Sequence, residues 1–306
     1  MSTIKATVLR TGVSQRTRQR RAAYFLALPF MALFVALLVI PLGYAGYLSL
    51  FKSKLIGGTV FVGIDNYVRA LADSAFLESV ARMFLFLVTS TPLGLLASLL
   101  LALALDSGRV RGSRFFRLAI FVPYAVPGVV ATLMWGFLYG PTFGPITQIF
   151  EAFGLEAPNL LSAENITPAI MNILWWEFIG YNMIIFYAAL RNIPQELYDA
   201  AHVDGANQWQ IAWNIKLPAL RPALLFAVTF AIIGTFQLFN EPNLLYTLAP
   251  ASIGTSYSPN LYAFNLAFVQ RDVNYSAAIA FALAVVVAGI SFGLQTFFQR
   301  RADRTK

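Results

Sequence analysis

The sequence predicts an all-α, polytopic integral membrane protein with six transmembrane helices. Three observations carry that prediction. Apolar residues make up 58% of the 306 residues and charged residues only 12%. Soluble domains carry roughly 25% charged residues, so this chain has about half the charge needed to cover a water-facing surface. The apolar residues fall into six long stretches, and the basic residues gather between alternate ones.

The first stretch, residues 22–51, is over-long for one crossing at roughly 1.5 Å rise per residue, so tilt or an extension beyond the lipid is expected. It has the basic flank of a signal peptide. A signal core is only about 7–15 apolar residues, so the stretch is expected to remain as a first transmembrane helix. The next four cover residues 80–105, 118–139, 170–190 and 223–239, and the sixth lies within 275–298. Gln237, Asn240 and Glu241 blur the outer end of the fifth. Pro29, Pro41, Pro92, Pro123 and Pro127 fall inside these stretches. Each removes a backbone donor and can kink a helix. Pro123 and Pro127, with Gly128 beside them, mark the third span as deformable.

Orientation follows from Lys and Arg. The tail before Ala22, the segment Arg109, Arg111, Arg114 and Arg117, the loop with Arg191, Lys216 and Arg221, and the last tail hold 17 of the 22 basic residues. That bias places both termini and these loops in the cytoplasm. The net charge of +8 is therefore a topology signal and not a nucleic-acid footprint. Anionic lipid is a further contact for the arginines. The expected organisation is a basic cytoplasmic tail over residues 1–21, a transmembrane domain over 22–299 with a cytoplasmic loop at 191–222, and a cytoplasmic tail over 300–306. The first tail has no apolar pattern and is expected to be disordered. On the outer side, FVGIDNYVRALAD reads as a short helix, and residues 141–168 and 243–259 are rich in turn formers.

Composition excludes several functions. There is no cysteine, so no disulfide scaffold, thiol nucleophile or thiol metal site. His202 is the one histidine and has no second ligand type beside it, so no metal site is expected. There is no GxxxxGK[ST] phosphate loop. No cluster of catalytic groups at one depth is visible, so no enzyme activity is expected.

The loop between spans four and five is the informative one. Asn192 is suited to cap a helix beginning near Pro194. Glu196 and Asp199 sit at or near its first turn, where acids favour the helix N-terminus. Ala200 and Ala201 give a small-residue face. Gly205 permits a turn that a side chain would resist. A second short helix over residues 207–214 shows Trp209, Ile211 and Trp213, and Leu217-Pro218 is expected to stop it. The bland reading of this helix–turn–helix is a tie between spans.

The same residues resemble the cytoplasmic coupling motif of binding-protein-dependent ABC importer permeases, Glu-Ala-Ala, three residues, Gly, nine residues, Ile-x-Leu-Pro. Here it reads Asp199-Ala200-Ala201, Gly205, Ile215-Lys216-Leu217-Pro218. All spacings match; Asp199 replaces the family's Glu, and Asp204 and Ala206 also fit. FVGIDNY, LFNEP over 238–242 and the segment ending in NYSAA are similar to the first permease subunit of the carbohydrate-uptake branch. The resemblance covers nearly the whole chain. It implies the ABC importer permease fold in a prokaryotic inner membrane. It also implies a second homologous permease, two separate ATPase subunits that bind the ATP and Mg, and an extracytoplasmic sugar-binding protein. Glu196, Asp199, Ala200, Ala201, Asp204, Gly205, Ala206, Leu217 and Pro218 would then contact the ATPase, and no cofactor would bind this chain.

The pathway is less legible. Glu177 lies mid-span beside Trp175, Trp176, Tyr181 and Asn182. An intramembrane carboxylate is a functional candidate by default, and aromatic faces with amides suit sugars. The competing reading is packing, with Glu177 in a structural hydrogen bond. Gln237, Asn240 and Glu241 are further candidates to line the cavity or meet the binding protein. An ion-coupled carrier would leave the loop motif unexplained, and a non-sugar solute is the remaining alternative. A neutral di- or oligosaccharide is the expected cargo.

Overall fold

The computed structural model describes residue 20 and residues 23–54, 56–108 and 110–303. Most of the basic tail, Arg109 and the last three residues lie outside these, so the expected disorder of that tail and the charges there have no structural counterpart. The helices are α1 (Ala23–Ser49), α2 (Asp65–Ala72), α3 (Ser74–Asp106), α4 (Ser113–Ala125), α5 (Gly128–Leu138) and α6 (Pro145–Ala152). They continue as α7 (Ile166–Arg191), α8 (Gln195–Val203), α9 (Gln208–Ile211), α10 (Arg221–Phe236), α11 (Asn240–Tyr246), α12 (Pro259–Phe264) and α13 (Val273–Asp303). A small hairpin, β1 (Phe51–Lys54) and β2 (Gly58–Phe61), pairs antiparallel with Phe51 opposite Phe61. The apolar-stretch reading missed it, because two four-residue strands carry too short a pattern to stand out.

Five helices are long and apolar enough to cross a membrane. The third expected span is not one helix. Its halves α4 and α5 meet at 95°. Val126 and Pro127 are both extended, with ψ near 129° and 130°. A residue before proline is pushed out of the helical region, and Pro127 offers no N–H to bridge the gap. The deformable segment is thus a fixed break.

The sense of each pass follows from the two main cores. At one end Met83 and Phe86 of α3 cluster with Ile166 and Ile170 of α7. At the other end Leu105 of α3 clusters with Leu190 of α7. The two helices therefore run parallel, and they form the most extensive helix contact in the chain. The chain between them must return from the second end to the first, which the broken pair achieves. Six passes result, and α10 runs antiparallel to α7 from Leu220 to Phe236.

The first end is closed by polar contacts. Asp73 caps α3 by accepting from the Ala75 and Phe76 N–H groups. Its other oxygen accepts from Tyr262 and Tyr275, both at 2.7 Å. Burial opposes ionisation of Asp73, but these tyrosine and backbone hydrogen bonds outweigh it and hold the carboxyl below its ordinary value. Asn66 donates to the Ser49 and Phe51 carbonyls, and Asn274 to Leu48. Thus the loop helix α2, the hairpin and the end of α1 are tied to the start of α13. The apolar length of α1 before those last turns is exposed.

With both the sense of the passes and the basic bias fixed, labelling checks the orientation. A single cysteine at Gly205 is expected to resist a membrane-impermeant thiol reagent in intact cells, and one at Ala157 to react. The cysteine-free chain gives no background. Labelling at Gly205 in sealed cells would invert the topology.

Candidate functional site: a 191–222 loop and a carboxylate pair at a broken helix

The loop is built from backbone constraints. Asn192 ends α7 instead of starting α8; its φ and ψ are helical, −86° and −4°, and its N–H bonds the Ala189 and Leu190 carbonyls. Pro194, extended at ψ 137°, takes the N-cap position of α8. Glu196 lies in the first turn of α8 and Asp199 accepts from Gln195 at 3.4 Å, both side chains exposed.

Gly205 has φ +75°, and no atom lies within 4 Å of where its Cβ would stand. The Ala206 N–H bonds the Ala201 carbonyl at 2.9 Å and the Gly205 N–H bonds His202 at 3.1 Å. This pair is a Schellman closure, which requires the left-handed residue that glycine supplies. Asp204 is the C-cap beside it. Ala200, His202, Val203, Asp204 and Gly205 are exposed, and Ala201 and Ala206 half-buried.

Asn207 then opens α9 through a reciprocal capping box with Gln210. The second helix does not stop at Leu217-Pro218. It widens into a π-turn over Ala212–Lys216, where the Leu217 N–H bonds the Ala212 carbonyl, and runs on to Ala219. Pro218 follows directly on that π-turn and has no N–H of its own to place in a helical bond. The break falls at Leu220, which is fully buried. Trp209 and Trp213 stack at 5.9 Å and are exposed.

One contact in this loop escaped sequence reasoning. Lys216 is buried, and its Nζ donates to Asp106 Oδ2 at 2.6 Å. It also lies 5.5 Å from the Tyr198 ring. Burial pushes the Tyr198 hydroxyl up, the Asp106 carboxylate adds to that, and Arg191 opposes it. A lysine among loop basics and an aspartate 110 residues away give no sequence signal of pairing.

The candidate pathway residues do not form one cluster. Trp175 faces α3, donating to the Ser90 carbonyl at 3.1 Å, with Gly94 leaving room for its ring. Trp176 meets Trp135 edge-on at 6.0 Å. Tyr181 stacks on Tyr124 of the broken span at 4.6 Å. Asn182 bonds back to Phe178 on its own helix. Gln237 and Asn240 are exposed at the bend between α10 and α11. Only Glu177 and Glu241 converge. Both are buried, and a Cβ on Gly128 would lie 3.5 Å from Glu177 Oε1 and 4.0 Å from Glu241 Oε1. Among the described residues Glu177 Oε1 has no hydrogen-bond partner.

Two glycines build this corner. Gly128 opens α5 where the carboxylates meet. Gly180 takes the Ile120 carbonyl at a position any Cβ would occupy. Gly128, beside Pro123 and Pro127, was part of the segment marked as deformable, whereas Gly180 sits inside an apolar helix and gave no sequence cue. A cavity of about 210 Å³ lies elsewhere, lined by Arg82, Thr167, Ser256 and Tyr257 and by none of the sequence-selected residues.

Six apolar passes with a capped helix–turn–helix between the fourth and fifth define a multi-pass membrane permease, a transport subunit and not an enzyme. Residues 70–304 match the family described as binding-protein-dependent transport system inner membrane component, and the chain belongs to that family. It is 35% identical over 275 residues to the sn-glycerol-3-phosphate transport system permease protein UgpA of Shigella flexneri, covering 88% of this chain and 91% of that one. It is 29% identical over 276 residues to the arabinooligosaccharides transport system permease protein AraP of Bacillus subtilis (strain 168), covering 89% and 87%. The crystal structure of a bacterial ABC transporter that imports the acidic polysaccharide alginate has a chain with the same fold. The TM-score is 0.81 at 22% identity, over 94% of this chain and 98% of that one. The resemblance drawn from the loop motif and LFNEP is thereby shown: this is an ABC-importer permease subunit of the inner membrane.

The Gly180 contact has a direct test. Gly180→Val is expected to destabilise the bundle by about 3 kcal/mol or more, because its methyls meet backbone and not a flexible side chain. Gly234, with nothing within 4 Å of its Cβ position, is the control, and Gly234→Ala is expected to be neutral. The readout is the fraction of monodisperse protein surviving a heating series in detergent.

Proposed function

We propose that this chain forms half of the translocation pathway of an ATP-driven importer for a neutral di- or oligosaccharide. Its partners are a second permease, two ATPase subunits and an extracytoplasmic binding protein. Residues 194–218 are the element that meets the ATPase. The observation that carries this reading is the Schellman turn at Gly205. It displays Glu196, Asp199, Ala200 and Asp204 to solvent on a short, rigidly closed helix pair, with Ala201 and Ala206 at its edge. Leu217 and Pro218 lie at its root, where they join it to the span that follows.

Glu177 and Glu241 support a neutral cargo. Two carboxyl groups buried side by side at a broken helix offer oxygens to hydroxyl donors. The name of the 35% identical relative points to a glycerol phosphate. Tyr124 and Tyr181 supply the stacked aromatic surface nearest the break. Isothermal titration of the cognate binding protein over a panel of neutral and phosphorylated sugars tests the cargo class; binding of only phosphorylated ligands would reject it.

Two substitutions test the two halves of the proposal. Glu177→Gln is expected to leave the chain in the membrane and to lower initial uptake about tenfold, the worth of one charge-assisted hydrogen bond. Uptake at the parental rate removes Glu177 from the pathway. Gly205→Val places a β-branched residue at φ +75°, straining the turn by about 1–3 kcal/mol. Insertion of the spans should survive, while the ATPase subunits no longer co-purify or lose stimulation by loaded binding protein in liposomes. Normal assembly with normal stimulation would refute the assignment of residues 194–218.

A further inference from the structure

We propose that the Asp106–Lys216 ion pair is the positioning link through which movement of residues 194–218 is passed to the second span, α3. The inference rests on the reading of 194–218 as the ATPase-facing element. Asp106 is the last residue of α3 and Lys216 the last residue of the π-turn. Their side chains are 8% and 9% exposed and meet at 2.6 Å. Among the described residues the other ion pair, Arg69–Asp272, is at the opposite end and about half as tightly enclosed or less, with side chains 46% and 31% exposed.

Stability does not explain the pair. A carboxylate at a helix C-terminus faces the negative end of the helix dipole. Burying both charges costs several kcal/mol, and apolar residues of similar volume would commonly be as stable. What the pair adds is direction. Around it Leu105, Leu190 and Leu220 make apolar contacts that are non-directional and can slide. A 2.6 Å charge-assisted hydrogen bond cannot slide without breaking. Lys216 also lies over the Tyr198 ring, so one ammonium joins α8, the π-turn and the end of α3. A push on α8 therefore reaches α3 through Lys216 as well as reaching α10 through the chain.

The complete transporter in proteoliposomes tests this, with ATPase co-purification, stimulated ATP hydrolysis and sugar uptake per ATP measured separately. Asp106→Leu combined with Lys216→Met is expected to keep the complex and its hydrolysis while uptake per ATP falls about tenfold. The exchanged pair, Asp106→Lys with Lys216→Asp, is expected to recover at least half of the lost ratio. A parental ratio in the apolar pair overturns the proposal. So does an exchanged pair that assembles yet transports no better than the apolar one. If neither double variant assembles, the pair is needed for folding and the positioning role is likewise rejected. Failure of the underlying reading looks different: Gly205→Val would then assemble and be stimulated normally, whatever the ion-pair variants do.

Discussion

The parallel packing of α3 and α7 is the constraint on which the rest of the molecule depends. Two neighbouring helices that run the same way force the intervening chain back across the bundle. That return pass is the broken pair α4 and α5. The chain accommodates this with a 95° break at Val126-Pro127. Broken backbone is tolerated at membrane depth only where protein or water covers the freed groups. Gly180 supplies the cover on one side by admitting the Ile120 backbone against α7. On the other side stand Glu177 and Glu241. The break, the missing Cβ atoms and the buried carboxylates are therefore one arrangement.

The two ends of the bundle are held by different chemistry, which suits different duties. At the first end Asp73, Tyr262, Tyr275, Asn66 and Asn274 tie loop elements to helix starts through hydrogen bonds. Arg69 lies 3.6 Å over the Tyr275 ring in the same cluster. Such a network fixes several elements together, since no member can leave without stranding a buried partner. At the other end the 191–222 loop is attached by the Leu105, Leu190 and Leu220 cluster, against which Ile193 packs, by the buried Ile211 and by the Lys216–Asp106 pair.

Much of the fold was legible because hydropathy and charge report the membrane directly. Long apolar stretches and the Lys/Arg bias follow from the cost of burying backbone and charge in lipid, and each acts locally in sequence. The loop motif was legible for a related reason: its turn needs a glycine at positive φ, and Gly205 carries that requirement in its identity. The errors came where tertiary contacts overrule local signals. Asn192 was read as a cap because its type favours one, yet it closes α7, and Pro194 takes the N-cap position of α8. Leu217-Pro218 was read as a stop, yet the π-turn before it absorbs the proline. The third span has the composition of a crossing helix, yet Val126 and Pro127 are both extended and break it.

The candidate site shows the same division. Glu177 was visible as a carboxylate in an apolar span, but its partner across Gly128 was not, because Glu241 sits 64 residues on at a bend. Helical spacing sends Trp175 to the Ser90 carbonyl of α3 and returns Asn182 to the Phe178 carbonyl of its own helix, neither of which composition could tell. Lys216 carries this furthest. In sequence it is one of the basic residues whose sum sets the topology. In the structure its charge is neutralised and hidden, so it adds nothing to the field seen at the membrane surface. A basic residue that has given up that role, and that sits in the loop motif between Ile215 and Leu217, is held there by Asp106. The charge bias and the buried pair thus separate within a single loop: Arg191 and Arg221 are exposed and orient the chain, while Lys216 binds it to α3.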